Sequence, residues 1–523
     1  MDRTTGLSDL EAFVETMTER MTTLARTLGA WVQAEPRTLQ AQEEQVVGQL
    51  HDLGTMLLTS LLALAAPPPT PTRRCSCGAQ ASYRRMREAT VTTLLGQVTY
   101  RRATYSCASC HHGHAPLDQQ LQVAAGSLSL GLQELLALLG ATQASFADAA
   151  AVLERLCLVQ VCPNTVRSAS EDVGTMLVEH MQEVAATAQQ PHDLSAPQLC
   201  GPARLYVSMD GVLVHCRTTG WREIKAGCVY TTRTCPSRRA PEQQTLRMEQ
   251  PSYQASLAEA EAFGAQVAVE ARRRGVEQAQ EVIVIGDGAH WIWTLAEEHF
   301  PGATQIVDWY HASQYVWQAA SSIHGETSAA RAHWAKQQLD GLWEGRLDEV
   351  LWALAQHAGD AGAVDAAVSY YTTHRSRLDY PGYRARNLQV GSGTIESTCK
   401  HLISARLKQA GMIWSEEGAN AVSAVRAWLK SGRWKEAMAL RPHPRRSYQR
   451  ERKGGETKTE AHLGGASGTV AEVGARRQAA GLPSEVLARV RAELAQEQAT
   501  HPWRKAWSRR QQRAQHAEQV AGP

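Results

Sequence analysis

The stretch EVIVIGDGAHWIW, residues 281–293, decides the fold class of this 523-residue chain. Its residues 282–285 form a continuous β-branched run, which is typical of a strand covered on both faces. Asp287 follows between Gly286 and Gly288, which allow backbone or ligand to approach the carboxylate closely. Ligands gather at the carboxyl ends of strands in open α/β sheets. The stretch therefore predicts a ligand-binding carboxylate or, alternatively, a turn aspartate that caps a helix beginning near Trp291.

The sequence on both sides predicts a mixed sheet. Three strands come first: RLYVSMDGVLVHC with Asp210 in its middle, then WREIKAGCVYTT, then QTLRME. An amphipathic helix over 256–274, the strand 281–286, a helix over 291–300 and a short strand ending on Asp308 follow. Three strands, then helix, strand, helix and strand, predict a ribonuclease H-like mixed sheet in a multidomain α+β protein, with helices on both faces. Residues 203–311 would form the first part of this domain.

The last helices supply a third carboxylate. Residues 312–386 are helical, polar and rich in tryptophan, which predicts an inserted helical domain. Residues 387–440 return to the catalytic domain, with Glu396 in the first turn of a helix. Asp210, Asp287 and Glu396 thus occupy the positions at which this fold would gather them, and oxygen ligands suit Mg²⁺ or Mn²⁺. Two such ions per site would support phosphodiester chemistry on a nucleic acid.

Two close cysteine pairs mark a separate segment. CSCG and CASC are joined by about thirty residues of strand-like sequence, so four thiolates can converge on a tetrahedral ion. We predict a zinc ribbon over residues 71–126, with a structural Zn²⁺ held by Cys75, Cys77, Cys107 and Cys110. The tight C-x-C spacing leaves open that His111, His112 or His114 replaces one thiolate. The alternative is that the cysteines are free thiols.

Helical segments surround this ribbon. Residues 1–70 predict two helices that expose an apolar stripe and therefore need a partner, either the body of the protein or another copy. Residues 127–190 have the rhythm of a helix-turn-helix DNA-binding region, in which Asn164 or Thr165 caps the second helix and Arg167 faces the major groove. A plain packing hairpin has the same pattern. Residues 191–202 predict a linker.

Composition bounds the remaining possibilities. The hydrophobic fraction of 43% is ordinary, no apolar run looks long enough to span a membrane, and the N-terminus lacks a secretory pattern. We therefore expect a cytoplasmic protein without a membrane partner. The net charge is only +2, but residues 441–523 carry 16 Lys and Arg against 8 Asp and Glu. This basic, partly disordered tail is either a solvated surface or a contact for a polyanion.

The ordered set of motifs VSMDGVLVH, WREIKAG, VIGDGAHWIW, VDWYH, GSGTIES and SGRW resembles prokaryotic insertion-sequence transposases of the DDE class. The similarity is to the Kra group, related to the Mutator-like superfamily, and covers roughly residues 70–440. The resemblance implies a catalytic triad of Asp210, Asp287 and Glu396 and a D-x-x-H pair of Asp308 and His311. Asp308 could instead cap the next helix, and His311 could be an interior imidazole.

The resemblance also implies a function. Such an enzyme binds the terminal inverted repeats of its element, then cleaves and joins them to target DNA, acting on the bacterial nucleoid as a homo-oligomer. A transposase-derived regulator without catalysis and a hydrolytic ribonuclease H-like nuclease are the alternatives. Lys225, Arg406 and Lys408 fit phosphate contacts or a solvated face, and Trp414 is a candidate for stacking on an unpaired base.

Overall fold

The computed structural model describes residues 3–441 except 124–125, 189–201, 237–241, 243, 358–361 and 392, with side chains from residue 9 onward. The predicted linker lies almost wholly outside these residues. So does the basic tail, of which only Arg441 is described.

Two long helices and a β-ribbon form the N-terminal part. The helices are α1 (Arg3–Ala34) and α2 (Leu39–Ala65). The ribbon strands run antiparallel in the order β1 (Thr72–Arg74), β2 (Gln80–Thr93), β3 (Gly96–Cys107) and β4 (Gly113–His114). Thr38 caps α2 by accepting a hydrogen bond from the Ala41 N–H. The apolar side chains Leu58 and Leu62 pack on the ribbon, so α2 is attached to it.

The length and hydropathy of α2 differ from what we expect from the sequence. It is the one helix in the described part of the chain that is long and apolar enough to cross a membrane, judged by length and composition alone. We had expected no such segment. Helices of soluble proteins meet the same criterion, so the finding is weak evidence for a membrane span.

A helical bundle follows the ribbon. Its members are α3 (Pro116–Leu121), α4 (Leu130–Thr142), α5 (Phe146–Cys157) and α6 (Pro163–Ala188). Ser129 and Ser145 cap α4 and α5. α6 begins at Pro163, a residue suited to a first helical turn, so the predicted caps Asn164 and Thr165 lie inside the helix.

A five-stranded mixed sheet lies at the centre. Its order is β7 (Gln244–Ser256), β6 (Gly220–Pro236), β5 (Arg204–Cys216), β8 (Glu281–Gly286) and β9 (Thr304–Val307). β5, β6 and β7 are antiparallel, while β8 and β9 run parallel to β5. The helices α7 (Ala260–Arg273) and α8 (His290–His299) connect these strands, and a 3₁₀ turn, Val276–Gln278, follows α7. The predicted mixture of strands and helices is confirmed.

Helices complete the fold after β9. They are α9 (Trp309–His324), α10 (Ala329–Trp343), α11 (Leu347–Ala355), α12 (Gly362–Thr373), α13 (Tyr380–Ala385), α14 (Gly393–Thr398), α15 (Ala405–Leu407), α16 (Glu416–Lys430) and α17 (Trp434–Ala439). A 3₁₀ turn, Arg375–Arg377, precedes α13, and a π-helix, Cys399–Ser404, joins α14 to α15. α14, the π-helix and α16 pack on the sheet, and α7 covers the opposite face near Gly227.

Candidate functional site

Three aspartates are level with one another across three adjacent strands. Ser208 pairs with Ile285 in the parallel register, so Asp210 and Asp287 each lie two residues further on. Val307 pairs with Gly286, which places Asp308 level with Asp287 in the same way. The Asp308 N–H continues this ladder by donating to the Gly286 carbonyl at 2.9 Å. The sheet thus brings three carboxylates together at one edge, where parallel strands end.

Asp210 has two neighbours that affect its charge. The Gly211 N–H donates to its Oδ1 at 2.7 Å, and the Cys399 thiol donates to its Oδ2 at 3.4 Å. Burial raises the pKa of Asp210, and the negative charge of Asp287 raises it further against the Gly211 hydrogen bond. Two adjacent carboxylates form a donor set whose negative charge a divalent cation would neutralise.

Close packing explains why glycines flank Asp287, whereas the sequence predicts that they give a ligand access to the carboxylate. A Cβ on Gly286 would lie 2.8 Å from Ile292 Cγ2, and one on Gly288 would lie 2.5 Å from Tyr370 Cε2. Gly288 also has a φ of +108°, which other residues rarely adopt. Protein packing therefore requires both glycines. The capping alternative is wrong: the N-cap of α8 is Ala289, without a side-chain cap, and Asp287 Oδ1 instead closes a turn before the helix by accepting from the Ala289 N–H at 2.8 Å.

Tyr370 fixes the loop from the far side. Its hydroxyl donates to the backbone carbonyl of Asp287 at 2.6 Å, and its ring stacks on Tyr315 with centroids 3.9 Å apart. Tyr370 lies on α12, more than eighty residues further along the chain. Sequence reasoning missed it because nothing near Tyr370 in the chain signals this contact.

Asp308 and His311 are joined by two hydrogen bonds. Asp308 is fully buried, and its Oδ2 accepts both the His311 backbone N–H at 3.0 Å and Nδ1 at 2.7 Å. Capping and side-chain pairing thus occur together. Burial disfavours the imidazolium, but the hydrogen bond to Asp308 and the charge of Asp308 raise the pKa of His311. The negative charges of Asp287 and Asp210 raise it further. Because Nδ1 faces Asp308, Nε2 is the nitrogen left for another partner.

Glu396 lies one helical turn before Cys399, the residue whose thiol contacts Asp210. It is half-buried in the first turn of α14, and its charge adds to the burial and the Asp210 charge that raise the pKa of the Cys399 thiol. Cys399 therefore stays protonated and donates to Asp210. The spacing Glu396–Cys399, one helical turn, was the only sequence signal for this missed residue. A π-helix starts at Cys399, and such distortions occur often at functional sites.

The carboxylates at the strand ends are less tightly clustered than the cysteines of the ribbon. Among the described residues, the four cysteines form the only set of three or more metal-ligand side chains whose ligand atoms all lie within 4.8 Å. No three of the carboxylates therefore bring their oxygen atoms as close together as the four sulfur atoms are.

The four cysteines of the ribbon could hold a zinc ion. The Sγ atoms of Cys75 and Cys110 are 3.4 Å apart, and those of Cys77 and Cys107 are 3.6 Å apart. Four sulfurs at Zn–S bond length sit about 3.8 Å apart in a tetrahedron. The Cys110 backbone N–H lowers the pKa of Cys107 to about 6, which favours the ligating thiolate.

His114 lies beside the cysteine cluster. Its Nε2 lies 2.9 Å from Cys75 Sγ, so the imidazole contacts a sulfur of the cluster as a hydrogen-bond partner. Four sulfurs therefore converge, and a histidine lies beside one of them.

Three predicted DNA contacts are buried instead. Arg406 is 1% exposed, donates from Nε to the Gly140 carbonyl at 2.8 Å and lies over the rings of Phe146 and Trp414. Trp414 is 5% exposed and donates to the Leu407 carbonyl. Lys225 is 8% exposed and donates to the Ala258 carbonyl. These side chains satisfy buried carbonyls or fill the interior, so our assignment of DNA contacts to them is corrected.

Arg426 makes a second link like that of Arg406. Its guanidinium donates to the carbonyls of Leu402, His401 and Ala141. Burial lowers the pKa of Arg406 and of Arg426 to about 10, and both remain charged at neutral pH. The carbonyls of Gly140 and Ala141 belong to the last turn of α4, where a helix favours positive charge. Two buried cations, Arg406 on α15 and Arg426 on α16, thus join the bundle to the last helices.

Other basic and aromatic side chains do reach the surface. Arg167 is exposed on α6 and pairs with Glu171 at 3.0 Å, and Lys408 is exposed beyond α15. Lys408 lines a shallow cavity with Trp221, His215 and Ile413. Trp221 is 63% exposed at the end of the β5–β6 hairpin. The exposed aromatic of this region is therefore Trp221 rather than Trp414.

A model of a protein family matches most of the chain. The model of the uncharacterised protein family UPF0236 matches residues 39–441, which include the ribbon, the bundle and the whole acidic site. A search of curated proteins returns no match.

Proposed function

Because the chain belongs to the UPF0236 family, which is associated with transposase-like proteins, we propose that it is a DDE transposase. It would bind the terminal inverted repeats of an insertion sequence of the Kra type and catalyse DNA strand cleavage and strand transfer. The observation that carries this proposal is the level alignment of Asp210, Asp287 and Asp308 across β5, β8 and β9. The strand order β7-β6-β5-β8-β9 supports the ribonuclease H-like assignment.

Asp210, Asp287 and Glu396 would hold two Mg²⁺ or Mn²⁺ ions. Their carboxylate oxygens suit these ions, and the raised pKa of Asp210, caused by burial and then by Asp287, marks a place where positive charge is favourable. When bound, such ions activate the attacking hydroxyl and stabilise the leaving oxygen of a phosphodiester.

The protein's own groups position the reaction. Asp308 orients the imidazole of His311 through Nδ1, so Nε2 can donate to a phosphate oxygen. Cys399 holds Asp210 in place, and Tyr370 holds the backbone of Asp287. DNA would be bound by the ribbon, by α6 with Arg167, and by the surface around Lys408 and Trp221. Each of these groups is solvent-accessible in the described part of the chain.

The test uses the inverted repeats that flank the gene as a duplex substrate. Cleavage should require Mg²⁺ or Mn²⁺ and stop in chelator. Asp210→Asn, Asp287→Asn and Glu396→Gln should each abolish cleavage but keep DNA binding, because each removes a charge without changing size. Asp348→Asn, an exposed carboxylate on α11, is the matched control and should cleave normally. A fully active Asp287→Asn protein would refute the assignment.

The same reaction separates the alternatives. Joined products on a target plasmid support strand transfer, whereas nicked products without joining support a hydrolytic nuclease. Repeat binding without any cleavage, under all metal conditions, would favour a regulator derived from a transposase.

A further inference from the structure

The two N-terminal helices carry most of the exposed apolar surface. Among the described residues, twenty large hydrophobic side chains are exposed, and eleven of them lie on α1 and α2, here called the N-terminal hairpin (residues 3–65). They are Leu10, Val14, Met21, Val32, Leu39, Val46, Val47, Leu50, Leu57, Leu61 and Leu64. No described side chain of α1 or α2 is buried. A hairpin of this kind needs a partner to cover it.

The spacing of the apolar residues specifies a helical partner. In α1 they recur at alternating steps of four and three residues: Leu10, Val14, Met17, Met21, Leu24, Leu28 and Trp31. In α2 the same steps connect Val46, Leu50, Leu53 and Leu57 and, after Ser60, Leu64. This repeat of 3.5 residues is the pattern of a coiled-coil seam, which packs against other helices. α1 and α2 cover each other only in part, because Val14 and Met21 remain more than half exposed.

The uncovered area matches what a dimer requires. The eleven side chains are between 38% and 71% exposed. At roughly 80 Å² each they retain on the order of 900 Å², close to the ~800 Å² that each partner contributes to a stable interface.

The net charge of the N-terminal hairpin disfavours DNA and anionic lipids as its partner. Residues 3–65 hold eight acidic side chains and four Arg, a net charge of −4. An acidic hairpin is repelled by DNA phosphates and by anionic lipids, which attract Lys and Arg. Asp52 also interrupts the most apolar part of α2. A second hairpin carries the same net charge of −4, a far lower charge density than that of DNA, and has the matching apolar face.

We propose that the N-terminal hairpin pairs with the same hairpin of a second copy of this chain, forming a four-helix bundle without DNA. The contact is isologous, since one seam faces its own copy. α2 also packs on the ribbon: Thr55 donates to the Leu95 carbonyl, and Gly54 faces the Leu95 side chain. The dimer therefore fixes two ribbons relative to each other. The dimer stands on the helices alone, and only its use to hold two DNA ends rests on the proposed function.

The experiment measures the mass of the purified full chain by light scattering after gel filtration, without DNA, over micromolar concentrations. We expect twice the chain mass of 57.2 kDa. The triple variant Val14→Glu, Met21→Glu, Leu50→Glu should give the single-chain mass. Its zinc content and circular dichroism should match those of the wild type, which shows that the ribbon and the sheet remain folded.

The matched control carries three glutamates at exposed apolar positions elsewhere: Leu156→Glu, Leu158→Glu and Trp352→Glu. This control should remain a dimer. Wild type that is monomeric throughout, or a seam variant that keeps the double mass, overturns the proposal. Sedimentation of the wild type with phosphatidylglycerol vesicles, lost in the seam variant, would assign the hairpin to a membrane and also overturn it.

Discussion

Removing the hydroxyl of Tyr370 tests whether α12 holds in place the loop of Asp287, which we propose to be catalytic. Tyr370→Phe deletes the hydrogen bond to the Asp287 carbonyl, which is 2.6 Å long. Its neighbour offers a matched control, since the Tyr371 hydroxyl donates to the Ala312 carbonyl at 2.5 Å. Each substitution removes one hydroxyl-to-carbonyl bond, so each should cost about 1 kcal/mol of unfolding free energy.

Activity should distinguish the two variants. Only Tyr370 contacts the residue that we assign to the catalytic triad, and a supporting contact of this kind is worth about 10–100-fold in activity or metal affinity. That range corresponds to about 1.4–2.7 kcal/mol of activation free energy. Tyr371→Phe should cleave at close to the wild-type rate, because the carbonyl that it releases belongs to Ala312, which supplies no side chain to the site.

The assay is cleavage of the inverted-repeat duplex in Mg²⁺, with Mn²⁺ affinity of the DNA-free protein as a second measurement. Thermal unfolding of both variants checks that their stabilities are matched. Equal cleavage rates and equal Mn²⁺ affinities for Tyr370→Phe and Tyr371→Phe would refute the role that we assign to Tyr370.

Three further outcomes are expected. Metal analysis should find about one tightly held Zn²⁺ per chain, and Cys107→Ser should lower that content and weaken repeat binding; zinc-free protein purified without chelator would contradict the site. Asp308→Asn should slow cleavage about 10–100-fold and lower the pKa of His311, followed by NMR of labelled imidazoles in metal-free protein. Because the folded pKa is raised, the stabilisation from this pair is full below the unfolded pKa and is lost as pH rises through the folded one; an unchanged His311 titration would contradict the pairing. Trp221→Ala should weaken DNA binding, whereas Trp352→Ala, equally exposed on α11, should not; equal affinities would remove Trp221 from the DNA surface.

Local sequence predicted that Asp287 and Asp308 each follow a strand, and the reason is physical. Asp287 and Asp308 follow short β-branched runs, and a strand's end is visible in the residues that compose it. The level alignment with Asp210 then depends only on the pairing of neighbouring strands. β7 was predicted too short, at residues 244–249, whereas it extends to Ser256. Its second half contains Pro251 and polar residues, which an edge strand tolerates because it has only one neighbour.

Burial of charged and aromatic side chains could not be predicted in this way. Arg406 and Trp414 look like DNA contacts in isolation, but each is buried by partners far away in the sequence. Arg406 reaches Gly140, 266 residues earlier. Such partners are defined only by the packed fold, and the same is true of Tyr370 and Asp287. Trp221 carried no distinguishing signal, since its exposure depends on a hairpin that extends past its neighbours.

The buried arginines fix the distance between the proposed DNA-binding surface on α6 and the carboxylates. If α4 separated from α15 and α16, Arg406 would lose the Gly140 carbonyl and Arg426 the Ala141 carbonyl, and a buried cation that loses a partner costs several kcal/mol. The recognition surface on α6 and the carboxylates therefore keep one fixed separation. A duplex cut in this way would tolerate no change of spacing between the recognised repeat and the cleavage point. Even the insertion of one full helical turn, about 10 base pairs, which restores the groove's orientation, should prevent cutting, whereas a hinged protein would accept it.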